Sequence, residues 1–195
     1  MAKGDHRFKG ISYNAPVVLT FSLISLVILL IDQWTGANIT YQFFCVYRSP
    51  ISFPFFIRLF GHCLGHSGWS HYTGNIALIL LLGPSLEEKY GSKRLLLMIF
   101  ITAIISGLLN IMLFPNTALL GASGICFMMI VLMSASCMKD GKIPLTMILV
   151  ILIYIGQEIY TGITTDDNVS QLTHVIGGIC GAAFGFIFNG RRERS

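Results

Sequence analysis

Four polar residues stand out from an otherwise apolar chain because their types could do chemistry together. Ser123 sits in Gly121-Ala122-Ser123-Gly124, His174 opens a glycine-spaced run, and His71 and Asn75 lie four residues apart. A serine hydroxyl is a poor nucleophile until a neighbouring base takes its proton. Histidine suits that task near neutral pH. Residues four apart share a helical face, so His71 and Asn75 point together. Each residue also has a plainer reading. A serine inside a membrane helix bonds its own backbone, glycines pack, and a histidine near a helix end sits at the lipid–water interface. His62 and His66 share the same i, i+4 spacing, but no Glu completes a His-Glu-x-x-His metal site. We therefore expect no metal.

The elements that would carry these residues follow from composition. Of 195 residues, 54% are hydrophobic and only 11% are charged. A soluble domain carries about a quarter charged residues. So small a chain needs a large polar surface, which this one lacks. The expectation is an integral membrane protein. The five cysteines, Cys45, Cys63, Cys126, Cys137 and Cys180, form no CxxC pair and read as small buried hydrophobes.

A membrane helix needs about 20 apolar residues. Six stretches come close: Pro16–Ile31, His71–Leu86, Leu95–Phe114, Gly121–Met138, Pro144–Tyr160 and Gln171–Asn189. Charge breaks the run at Glu87–Arg94 and at Lys139–Lys142, Pro115 breaks it after Phe114, and Thr161–Ser170 is polar. The long connection from Asp32 to Gly65 contains Phe53-Pro54-Phe55-Phe56, which suggests a piece lying at the interface. A signal peptide competes for the first stretch, but no small-x-small cleavage site follows Ile31. The domain reading is a tail over 1–15, a six-helix membrane domain over 16–189 and a tail over 190–195.

Orientation comes from the cations. With the N-terminus inside, the inner segments hold Lys3, Arg7, Lys9, Lys89, Lys93, Arg94, Lys139, Lys142, Arg191, Arg192 and Arg194, and the outer ones only Arg48 and Arg58. That bias puts both termini in the cytoplasm. It also explains the net charge of +4 without nucleic acid, since the cations sit at membrane edges. Glu158 falls near the outer end of the fifth stretch, and no charge sits at the centre of any. That disfavours ion-coupled transport.

This topology starts the second, fourth and sixth spans at the outer side, so His71, Asn75, Ser123 and His174 share one depth. Offsets of +3, +7 and +11 put Gly177, Gly181 and Gly185 on the face of His174. A glycine ridge is a close-packing surface in membranes. The fourth span, stripped of bulk at Gly121 and Gly124, is its natural partner. Ser123 and His174 could then meet.

These residues resemble the rhomboid family of intramembrane serine proteases. The matching blocks are His66-x-x-x-x-His71-x-x-x-Asn75, Gly121-Ala122-Ser123-Gly124 and His174-x-x-Gly177-x-x-x-Gly181. They occur in the family's order, and the resemblance covers roughly Arg58 to Gly185. Gly83–Gly91 resembles the family's Glu-containing turn, and Arg58 stands where a Trp-Arg pair is common, with Ile57 replacing the Trp. Phe127 stands where the family often has a Tyr that stacks under the histidine.

The resemblance implies an all-α, six-helix bundle and a serine endopeptidase acting on transmembrane protein substrates. Ser123 would be the nucleophile and His174 the base. His71, Asn75 and the Ser123 backbone N–H would stabilise the oxyanion. Gly121, Gly124, Gly177 and Gly181 would pack helices. No cofactor is implied. The main rival is an inactive rhomboid-like protein that binds membrane clients. The short tails suggest a bacterial plasma membrane, where the sequons at Asn38 and Asn168 would carry no meaning. Oligomeric state is not legible.

Overall fold

A proline sets where the first helix begins. Pro16 has no amide proton to leave unpaired and its φ is preset, so it occupies the first turn of α1 (Pro16–Thr35). Gly36, at φ +63°, closes that helix. The structure is a computed structural model that describes residues 11–138, 142–164 and 168–189, with the side chains of 154, 155, 157–164, 168–170 and 189 outside the description. Most of both tails, Glu158, Asp166, Asp167 and the Asn168 sequon fall outside the described residues or side chains.

The remaining elements are all helical: α2 (Ile39–Phe43), α3 (Phe53–Gly61), α4 (Trp69–Tyr90), α5 (Ser92–Leu113), α6 (Ser123–Ala135), α7 (Leu145–Thr164) and α8 (Asn168–Asn189). The described residues form no strand; Val46 and Leu119 pair in an isolated antiparallel bridge. The fold is all-α. Among the described residues three segments, α1, α5 and Gln171–Phe188 of α8, are long and apolar enough by themselves to cross a membrane. Large apolar side chains such as Leu97, Leu152 and Ile179 face outward from these helices and α7. Water would penalise that surface, and lipid does not.

Several boundaries differ from the sequence reading. Hydropathy ends the second stretch at Leu86, but α4 runs on through Glu87 and Glu88 to Tyr90, with Pro84 inside it. Charge is costly in lipid and not in a helix, so the helix outlasts its apolar part. The expected Glu-containing turn is therefore helix up to Gly91, whose φ of +83° ends it. Residues 161–164, at the start of the polar stretch, likewise extend α7, and α8 already begins at Asn168. The fourth helix is shorter than expected, at 13 residues.

Short α6 is the centre of the bundle. Eight of its 13 residues are buried, among them Ile125, Met128, Met129 and Leu132. A helix that is apolar all round belongs inside. α8 lies directly on it. A Cβ added to Gly177 would run into the Gly124 carbonyl, one on Gly181 into the Met128 carbonyl, and one on Gly185 into the Ala135 side chain. Only glycine lets two backbones approach this closely.

The connection before α4 is folded. Ser52 caps α3 by accepting from the Phe55 amide at 3.4 Å. Arg58 on α3 is buried and donates to Ser49 Oγ at 2.7 Å and Tyr47 Oη at 3.0 Å, with its guanidinium 4.5 Å from the Tyr47 ring centre. The Val46–Leu119 bridge, 2.9 Å in each direction, ties this segment to the loop that leads into α6.

Candidate active site

The loop before α6 is built around one glycine. Gly121 has φ +113°, a conformation that side chains rarely adopt. Its amide donates to the His62 carbonyl at 2.9 Å. A Cβ there would sit 2.5 Å from His71 Nε2 and 3.6 Å from Asn75 Nδ2. Glycine is thus favoured twice, by the turn and by the His71 ring pressed against it, while Asn75 lies at ordinary contact distance. Gly121 packs toward α4, whereas Gly124, Gly177 and Gly181 form the α6–α8 seam.

On α4 the pair behaves as its spacing predicts. His71 Nδ1 is 3.1 Å from Ser67 Oγ, leaving Nε2 facing Gly121. Asn75 is buried, and its Nδ2 has no hydrogen-bond partner. Its main-chain carbonyl and Oδ1 lie 3.4 and 3.8 Å from Cys126 Sγ. An open donor in a buried place is costly unless something arrives to accept from it.

Ser123 is the first residue of α6. The amides of a helix's first turn have no intrahelical acceptor, and α6 begins two residues after Gly121, against which Asn75 lies. One helical turn on, the Phe127 ring lies flat against His174, with centroids 4.1 Å apart and planes 5° from parallel. Residues four apart share a face, and helical side chains lean toward the N-terminus. Phe127 therefore holds the His174 ring over the turn of α6 that starts at Ser123. Thr173, the residue before His174, is buried with its Cγ2 2.9 Å from where a Gly124 Cβ would be. The seam thus sets the height of His174.

His62 and His66 are buried beside this site. Their Nδ1 atoms lie 3.2 Å from the carbonyls of Leu59 and Leu64 respectively. Burial pushes each down to about 4, and His66 also faces His71. Both rings are neutral at physiological pH.

Three helices therefore carry these residues toward the α6 start: α4 lays His71 and Asn75 beside Gly121, α6 begins at Ser123, and α8 lays His174 on Phe127. The sequence reading missed Cys126. All five cysteines are unpaired and four are buried, as small hydrophobes would be, yet Cys126 also touches Asn75. The only available signal was its place one turn beyond Ser123, which is too common to notice. Glu87 belongs to a turn by resemblance alone, and its buried contacts with α1 carry no sequence signature.

The model of the Rhomboid domain matches residues 55–191. Rhomboid-related protein 1 of Caenorhabditis elegans is 31% identical over 132 residues, which is 63% of this chain and 37% of that protein. The chain thus spans well under half the length of that relative. The relative is a nematode protein, so the expected bacterial plasma membrane gains no support from it, and the location that stands is an integral membrane one. A family match over more than half the chain, on a helical bundle with lipid-compatible helices, makes this protein a member of the rhomboid family.

Proposed function

We propose that this protein is an intramembrane serine endopeptidase that cuts membrane proteins in or near a transmembrane segment. The observation that carries this reading is the His174 ring stacked flat on Phe127, one helical turn from Ser123; the open donor of Asn75 beside Gly121 supports it.

In this reading His174 takes the Ser123 hydroxyl proton as Oγ bonds to the scissile carbonyl carbon. The carbonyl π pair moves onto oxygen. His71, Asn75 Nδ2 and the Ser123 amide donate to that oxyanion, and one such donor is worth about 2.7–4 kcal/mol. The imidazolium then protonates the leaving amide nitrogen as the C–N bond breaks, leaving an acyl-enzyme. His174 next deprotonates a water that attacks the ester, and the proton returns to Ser123 as the acid product leaves. Neither cofactor nor metal enters these steps. The polar helix starts would line the wet cavity that hydrolysis needs within the membrane.

The substrate would be a helix whose amides are already bonded, so it must unwind locally before attack. Helix-breaking or small residues near its outer end should favour cleavage. Equal cleavage of a stiffened substrate would rule out unwinding as a limiting step.

The decisive test is reconstituted protein with a fluorophosphonate probe and a labelled single-span substrate, run beside Ser123→Ala and His174→Ala. Loss of labelling and cleavage in both variants is expected. Cleavage by Ser123→Ala would overturn the nucleophile. A folded but silent wild type would point instead to an inactive rhomboid-like protein that binds membrane clients.

A further inference from the structure

A hydroxyl or thiol on a helix ordinarily donates to the carbonyl four residues back. Cys126 does otherwise. Its Sγ lies 3.4 Å from the Asn75 carbonyl and 3.8 Å from Asn75 Oδ1 on α4. Both acceptors belong to one residue, and Cys126 is buried.

An asparagine amide has two nearly equivalent orientations, and its neighbours decide between them. A donor beside Oδ1 holds the oxygen on the α6 side. Nδ2 is then sent the other way, toward Gly121, where it is buried without a partner and 3.6 Å from the site a Cβ would occupy. With the amide turned over, Nδ2 would face a sulfur, a weak acceptor, and Oδ1 would face the turn. A developing oxyanion there would meet a lone pair and not an N–H.

We propose that Cys126 is a positioning residue of this site: its thiol holds the Asn75 amide with Nδ2 presented to the oxyanion. The inference rests on the peptidase reading for its consequence, but not for the contact itself. Cys126 touches no reacting atom and acts only through Asn75.

The test is a comparison of Cys126→Ala with Cys126→Ser in liposomes. The two replacements are close in size and differ in whether they can donate. Cys126→Ala is expected to lower kcat about threefold to tenfold at unchanged KM, the range for losing one modest hydrogen bond. Cys126→Ser is expected to stay within about twofold of wild type, because a hydroxyl donates at least as well as a thiol. Equal losses in both would mean packing alone and would overturn the proposal. In an Asn75→Ala background Cys126→Ala should cost nothing more, and a full further loss there would also overturn it.

The contact has a readout that needs no activity. The S–H stretching band of Cys126, isolated by subtracting the Cys126→Ser spectrum, should move to higher frequency in Asn75→Ala. An unmoved band overturns the proposal even if the protein proves to be no peptidase. A silent wild type with a band that does move refutes the peptidase reading and leaves the contact standing.

Discussion

α4 carries a buried polar residue toward each of its ends, and the two are treated oppositely. At one end Glu87 is saturated. Its Oε1 accepts from the Val17 amide at 3.0 Å and Ser92 Oγ at 2.7 Å, and its Oε2 from the Val18 amide at 3.1 Å. Those amides belong to the first turn of α1, whose own cap position is Ala15 and offers no side-chain acceptor. A carboxylate from another helix fills the role of an N-cap and meets the positive end of the α1 dipole. Gly83 sits one turn earlier, where a Cβ would come within 2.6 Å of Val18, so α1 can lie close enough to be capped. Asn75, about 18 Å away along the helix by its rise, is equally buried and keeps a donor open. A closed hydrogen-bond set marks a structural residue. An open one, facing a strained turn, marks a place kept for something that arrives.

That contrast predicts which property each residue controls. The largest effect is expected from Asn75→Ala, which should reduce kcat by about a hundredfold to a thousandfold, the value of an oxyanion donor. Its thermal midpoint should fall less than that of Glu87→Ala, because the open donor contributes no folded-state bond and Oδ1 has only the weak Cys126 thiol beside it. A large drop in that midpoint would make Asn75 structural and end the contrast.

Glu87→Ala should do the reverse. It orphans two α1 amides, at an expected cost of about 2–4 kcal/mol of stability. Denaturation of the reconstituted protein should reveal this, with kcat per folded molecule near wild type. A kcat collapse in fully folded Glu87→Ala would show that the two ends of α4 are coupled.

Acid should act on the site end next. His62 and His66 titrate at about 4 when folded, against 6.5 for a free side chain. The unfolded chain therefore binds more protons between those values. Stability is complete above pH 6.5 and is lost as pH falls toward 4, by up to about 2 kcal/mol per histidine at pH 5. Thermal midpoints at pH 7 and pH 5 check this, and His62→Gln or His66→Gln should flatten the dependence. A midpoint that rises on acidification would reverse the sign and contradict neutral burial.

The smallest effect belongs to Phe127→Tyr. The stacked face is already present, so restoring the family's hydroxyl should change kcat/KM by less than about threefold, whereas Phe127→Ala removes a ring contact worth about 0.5–1.5 kcal/mol. Equal rates for Phe127→Ala and wild type would mean that stacking does not orient His174.

Much of this was legible in the residues. Low charge and six apolar runs point to a helical membrane protein, because a lipid-buried backbone must satisfy itself and continuous apolar runs of this length suit helices, not the alternating strands of a barrel. The 3.6-residue period alone aligned His174 with Gly177, Gly181 and Gly185, and the bare start of the fourth run marked its partner. Helix ends were less legible. Hydropathy reports where lipid stops, and α4 and α7 continue past that point. What only the tertiary structure decided lies between helices. Glu87 reads as a charge too costly for lipid until α1 supplies two amides, Cys126 reads as a small hydrophobe until Asn75 lies beside it, and Gly121 reads as packing until its φ and His71 are seen. Periodicity records which way a side chain points along its own helix. It carries no record of the polar atom that another helix places opposite, and at both ends of α4 that atom separates support from chemistry.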